Sequence, residues 1–502
     1  MALDFHRHLR FSFLSLGLFS LSQINFLEGY SFKITGRLEN FAKIGFNHSQ
    51  INTKYGIYPT ESFTDIVGFA QIKVGLLPKA IEENGHTLSF SLGGAMAGIP
   101  YDGTKYLRDQ NGQIFGSVVH NFIGGWHGYF FNKYFNMASG AYHARPYVLD
   151  TAFLQYDYKH IFGFKIGRYE ANIDFMSGSN QGFEFYYRPT KNLKLWWWSS
   201  YGRGLAFNSW IYQFYATTTY NQPNGTRANY GWHGITATYD YKNLTAQAFF
   251  YFSPKTYNAP GFKLIYDTNK NFQNVGFRSQ TLLMVTIPVY DSGWYNPKTH
   301  TWSIWDAVSN GTGALGQIIG KYGVTLNIRQ VFWWNHWSAI LGLYNTFGNS
   351  DAYLGSHTMP MGNNTSYVNN YVSASIVGYD FWDNTAYDGL ADALTNANTT
   401  TIYGSVGSFY KKFAWHIFGR VSNANHNAQG HLGRANEYSA ALSLDYAFTT
   451  SVFVHFKLEY YGVYIHQGYQ VGYFGLPQYN NPDFKANYQD RSHIMTNITL
   501  KF

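Results

Sequence analysis

Residues 491–502 alternate without a break. Ile494, Thr496, Ile498, Leu500 and Phe502 fall on one face, and Arg491, His493, Met495, Asn497, Thr499 and Lys501 on the other. Successive side chains of a strand point to opposite sides, so one face can meet lipid and the other a wet lumen. The pattern recurs on 451–461, where Val452, Val454, Phe456, Leu458 and Tyr460 oppose Phe453, His455, Lys457 and Glu459. On 437–448, Tyr438, Leu442 and Leu444 oppose Glu437, Ser443 and Asp445. On 320–329, Val324, Leu326 and Ile328 oppose Lys321, Asn327 and Arg329.

Composition agrees with strands that cross a membrane. The chain is 20% aromatic and only 13% charged, against about 25% charged in soluble domains, yet its mean hydropathy is −0.27. A spanning helix needs about 20 apolar residues in a row, and no such run follows the N-terminus. Further alternating segments fall near 31–41, 62–75, 86–96, 145–158, 161–168, 182–188, 192–200, 231–241, 243–252, 262–267, 274–288, 337–345, 366–379, 400–410 and 412–421. Tight connections at Lys159-His160, Arg188 to Lys191, Lys242-Asn243, Asn335-His336, Lys411-Lys412 and Thr449 to Ser451 alternate with long polar stretches at 97–144, 203–229, 289–313, 346–365 and 465–489. Short turns at one end and long loops at the other predict a transmembrane antiparallel β-barrel in the bacterial outer membrane. The segments number 19 where such a barrel needs an even count, and the conflict lies between 366 and 400, where one strand is either missing or over-read. The expectation is about 18 strands, in a range of roughly 16 to 20. Tyr156-Asp157-Tyr158-Lys159 and Tyr239-Asp240-Tyr241-Lys242 repeat at two tight turns and put aromatic rings at the interface.

The N-terminus reads as an export signal. His6, Arg7, His8 and Arg10 precede an apolar stretch from Phe11 to Leu21, too short to span a bilayer. Cleavage after Ser22 or after Gly29 would leave a mature barrel over 30–502.

One stretch carries a family resemblance. Leu149 to Tyr187 gives an alternating strand, a tight turn, Phe164-Lys165-Ile166-Gly167-Arg168-Tyr169-Glu170, a short loop, then Gln181-Gly182-Phe183-Glu184. This arrangement and the layout of the mature chain resemble the Helicobacter outer-membrane protein family (the Hof proteins), itself distantly similar to OprD-type porins. The resemblance implies an 18-stranded monomeric barrel, a constriction of inward-folded loops near Ala171–Gln181, and a row of basic residues leading anionic solutes inward. It also implies that Phe502 is read by the barrel-assembly machinery. The loops depart from the family in their wealth of Tyr, Trp, Gly and Asn, which leaves the solute open.

Reading each strand's polar face as lumen nominates Lys33, Arg37, Lys73, Lys165, Lys194, Arg278, Lys321, Arg329, Arg420, Lys457 and Arg491. Glu39, Asp65, Glu437, Asp445 and Glu459 share those faces. A basic lumen concentrates anions; alternatively, the charges pair and fill the wall. Arg168 shares the face of Phe164 and Ile166, so it falls at a rim or after a bulge. Two segments are candidates to enter the pore, 97–144 and Ala171 to Gln181; the rival is an ordinary surface loop.

Other classes fit poorly. The basic residues are scattered, whereas a nucleic-acid footprint is clustered. There is no cysteine, no His-x-x-x-His or carboxylate cluster that suggests a metal, and nothing calling for a cofactor or an enzyme. His416 and His455 fall on lumen faces, not where a lipase needs them. The expected partners are outer-membrane lipid and small polar or anionic solutes. Passive passage of such solutes is the leading function, with adhesion through exposed loops as the rival.

Overall fold

The computed structural model describes residues 31–502 apart from 131–144, 303–321, 349–398, 467–485 and shorter stretches at 53, 56, 127, 171–173, 175–177, 208–209, 218–219, 222–225, 256, 291–294, 297–300 and 429–430. The signal segment, the 366–379 segment and Lys321 therefore lie outside the described residues.

Eighteen antiparallel strands form the wall. They are β1 Phe32–Gly45, β2 Phe63–Gly75, β3 His86–Asp102, β4 Tyr147–Tyr158, β5 Phe162–Glu170, β6 Ser179–Thr190, β7 Leu193–Ser200, β8 Trp232–Tyr241 and β9 Leu244–Ser253. There follow β10 Tyr257–Asp267, β11 Phe277–Thr286, β12 Gly323–Trp334, β13 Trp337–Gly348, β14 Thr399–Tyr410, β15 Phe413–Ala428, β16 His431–Ala447, β17 Val452–Ile465 and β18 His493–Lys501. Strand β18 pairs with both β17 and β1, from Arg37↔Lys501 to Gly45↔His493, and this closes the barrel. Closure removes the sheet edges that a bilayer cannot satisfy.

The direct pairing of β13 with β14, from Trp337↔Ser408 to Asn345↔Thr400, resolves the strand parity. The expected alternation is present: Leu38, Ile328, Ile402, Ile417, Leu458 and Ile498 are exposed on the outside, while Asn327, Arg329, Arg420, Ser443 and Lys457 are buried inside. All the expected tight turns lie at the end that carries the C-terminus. There Phe502 exchanges backbone hydrogen bonds with Gly36 (2.8 and 3.0 Å). Its ring covers Gly36 so closely that a Cβ there would lie 2.4 Å from it, which fixes the seam from outside.

Candidate functional site

Beyond β7 the chain turns inward. Gly202–Phe207 and Trp210–Tyr215 form a hairpin, anchored where Gly202–Gly204 pairs with Ser179–Gln181 of β6. Glycine permits the approach, since a Cβ on Gly204 would lie 2.9 Å from the Phe214 ring. The hairpin seats Ala206, Ile211 and Phe214 on Val67, Phe69, Ala95 and Val148 of β2–β4. Its other side carries the segment after β3. Ile211 donates to the Phe122 carbonyl at 3.0 Å and accepts from Gly124 at 2.6 Å, and Phe122 meets Trp210 edge-on at 4.7 Å. Val118, Val119, Phe122 and Ile123 pack on Phe41, Phe63 and Met495 of the wall. The first candidate loop therefore enters the barrel, starting after Asp102. The hairpin falls in the 203–229 stretch, where the sequence predicts a connection.

Two arginines hold the hairpin. Arg37 donates to the Ala206 carbonyl at 3.2 Å and lies 3.5 Å over the Phe69 ring. Arg168 stands 4.3 Å over Phe214 and donates to Gln181 Oε1 and the Leu149 carbonyl. Gly167 has φ +125°, and the β3–β4 register slips between Gly93 and Ala95. The local twist of such irregularities re-aims side chains, which is how Arg168 reaches an inner element.

The second candidate loop is tied across the lumen. Asp174 forms an ion pair with Lys263 of β10, and both side chains are largely buried. Lys263 was missed by the sequence reading, although its place between outward Phe262 and Leu264 marks it as inward. Lys43 lies beyond the 31–41 segment that alternation predicts, because the first strand runs on to Gly45. It continues the inward row and pairs with Glu61 at 2.8 Å, both buried.

The expected basic residues separate into groups. Arg37 pairs with Glu39 at 3.1 Å, Lys165 with Glu184 at 3.9 Å, Arg420 with Glu437 at 3.9 Å, and Lys457 with Glu459. Arg278 grips both Asp267 oxygens and lies 4.3 Å over Trp333. Arg491 donates to Gln489 at 2.9 Å, and Arg329 is wholly buried on the inner face. Lys194 lies near the Tyr186 and Trp196 rings. Lys33 and Lys73 sit exposed and opposite one another near the C-terminal mouth. Of the acids, Asp445 accepts from His455 at 2.8 Å and Asp65 is buried between the two apolar clusters.

Residues 14–502 match the family described as "Putative outer membrane protein". The chain belongs to this family. No curated protein matches it. Among solved structures it is similar to Acinetobacter baumannii OccAB4, at 11% identity and TM-score 0.54, covering 95% of this chain and 99% of that one. It is also similar to Pseudomonas aeruginosa OpdK with vanillate, at 10% identity and TM-score 0.57, covering 94% and 98%. Pseudomonas aeruginosa OccK3 (OpdO) gives 9% and 0.54, covering 94% and 96%. These likenesses establish the fold.

As an outer-membrane protein of this family, the chain puts its short turns toward the periplasm. Below the hairpin, at that end, lies a cavity of ≈ 330 Å³ lined by Arg37, Glu39, Phe207, Lys412, His455 and Lys501. A neighbouring cavity of ≈ 290 Å³ shares Arg37 and Lys501. The inserted elements thus sit above a chamber of mixed charge, in which Arg37, Lys412 and Lys501 face Glu39, Asp445 and Asp150.

Proposed function

We propose that the protein is a porin that passes small polar or anionic solutes and works as a single barrel. The observation that carries this reading is the inner hairpin. A barrel that only anchors surface loops has no use for a hairpin pinned inside its lumen by Arg37 and Arg168. A channel uses such an element to narrow the path. In the cavity below, Arg37, Lys412 and Lys501 offer anions cationic contacts beside Glu39, Asp445 and Asp150, and charge in a narrow, poorly screened passage acts more strongly than on a surface.

Purified protein in a planar bilayer tests it. The expected result is discrete conductance with reversal potentials that favour anions. A silent barrel whose loops bind host surfaces would replace the porin with the adhesin. Export is read from the same purification: the mature chain should begin after Ser22 or after Gly29. Deleting Phe502, which pins the Gly36 seam, should lower the heat-modifiable barrel, while Lys501→Gln should not. Equal assembly of the two variants would remove Phe502 as the assembly signal.

A further inference from the structure

Turns at the periplasmic end share a design that the channel reading does not use. They are Tyr158-Lys159-His160, Tyr241-Lys242-Asn243 and Tyr410-Lys411-Lys412. In each, the first lysine has a positive φ, of 49°, 48° and 54°. Glycine and asparagine adopt that region most readily. The turn Trp334-Asn335-His336 obeys this preference, with Asn335 at 51°. The lysines therefore stand where turn chemistry alone favours another residue.

Each ammonium folds back over the ring of the preceding tyrosine, at 5.4, 5.3 and 5.1 Å. Tyr241 and Tyr410 are exposed on the outer surface, in one belt with Tyr239, Trp334, Trp337, Tyr446 and Phe448. Carboxylates of the same turns are engaged elsewhere. Asp157 accepts from the His160 backbone and from Tyr186, and Asp240 pairs with Lys270 at 3.4 Å. Lys159, Lys242 and Lys411 are exposed. Three cations are thus carried at the lower edge of the aromatic belt, outside the lumen, each held against a ring.

We propose that these turns form a collar that binds the headgroup phosphates of anionic phospholipid in the periplasmic leaflet. Aromatic belts mark headgroup depth. A lysine at that depth attracts anionic lipid, and stacking on the tyrosine keeps the charge at the barrel's outer edge. The turns are spread around the wall, after β4, β8 and β14, so the collar favours a shell of anionic lipid over one tight site.

The test uses the full barrel refolded into phosphatidylcholine vesicles containing brominated phosphatidylglycerol. Quenching of tryptophan fluorescence gives the relative binding of the two lipids. The native protein should prefer phosphatidylglycerol by about twofold or more at low salt, and the preference should fade in about 0.5 M salt. The triple variant Lys159→Asn, Lys242→Asn, Lys411→Asn should bind the two lipids alike. It should still form a heat-modifiable barrel, since Asn335 shows that this turn accepts asparagine. The corresponding triple arginine variant should keep the preference. A native protein with no salt-sensitive preference overturns the collar without any variant, as does a preference that survives the asparagine changes. Loss of binding to purified peptidoglycan in the asparagine variant, with lipid preference intact, would assign the lysines to the cell wall instead.

Discussion

The inner faces of β1–β4 and of β14–β17 are built on opposite plans. The first presents Phe41, Phe63, Val67, Phe69, Ala95 and Val148 to the barrel interior, and buries them under the hairpin and the segment after β3. The second presents Thr401, Arg420, Glu437, Ser439, Lys457 and Glu459, all buried. These satisfy one another: Thr401 donates to Ser422 at 2.8 Å, Arg420 pairs with Glu437, and Glu459 takes both Lys457 and Ser439. An apolar inner face is a seat for inserted chain. A polar one is closed by its own charges, so its basic residues do more as wall than the sequence suggested.

The sharpest way to break this contrast is to remove one acid from each wall. Glu459→Ala leaves Lys457 buried without its carboxylate, and uncompensated buried charge costs about 3–5 kcal/mol. Glu39→Ala removes the buried carboxylate beside Arg37 but leaves an arginine whose side chain is 37% exposed and still donates to the Ala206 carbonyl, so the loss should be smaller, about 1 kcal/mol. Urea unfolding in lipid vesicles measures both. Equal losses would mean that the β14–β17 wall is not held by its ion pairs.

Next in size is the effect of unseating the hairpin. Ile211→Asp places a charge against Val67 and Val148, and an unpaired charge does not stay in an apolar seat. The hairpin should leave the wall while the strands keep their ladders. Single-channel conductance should rise severalfold with little change in heat-modifiability. A matching change on the outer surface, Ile417→Asp, should act the other way: it weakens the barrel in lipid and leaves conductance per channel alone. Unchanged conductance in Ile211→Asp would mean that the hairpin does not narrow the path.

The same contrast explains what was legible. Period-two alternation located β16–β18 and their faces because their inner faces are polar, so both faces announce themselves, although β16 starts six residues earlier and β17 ends four residues later than expected. It also bounded β2 and β4 to within two residues, but on β2 both faces are apolar or small, with Phe63, Val67 and Phe69 inward and Gly68 and Ala70 outward, so composition alone does not tell the faces apart. A bulge adds to this: the slip between Gly93 and Ala95 changes the parity around Leu149. The hairpin at 202–215 went unread because its strands are only six residues each and follow β7 almost directly. Lys263 and Lys43 were legible in principle, each lying in an inward row. Their partners Asp174 and Glu61 were not, because pairing across a lumen depends on how loops fold, and strand periodicity is silent on loops.

The smallest expected effect concerns selectivity, and it sharpens the comparison at the border between the two plans. Lys165 stands on β5 directly across from Glu184, at 3.9 Å, with 25% of its side chain exposed. It is therefore paired yet still in reach of solute, and it leads into the segment that Asp174 ties to Lys263. Lys501 faces the chamber below, whereas the resemblance to OprD-type porins puts the segment after Lys165 near the constriction. Coulomb energy falls with distance and with the dielectric around it, so reversing a charge in the narrower place moves ion preference more. Lys165→Glu should shift the reversal potential toward cations in a salt gradient, and Lys501→Glu should shift it less. Glu184→Gln, which frees Lys165, should shift it toward anions by a smaller amount. If all three leave the reversal potential unchanged in a conducting channel, β5 belongs with β14–β17 as closed wall, and solute passes elsewhere.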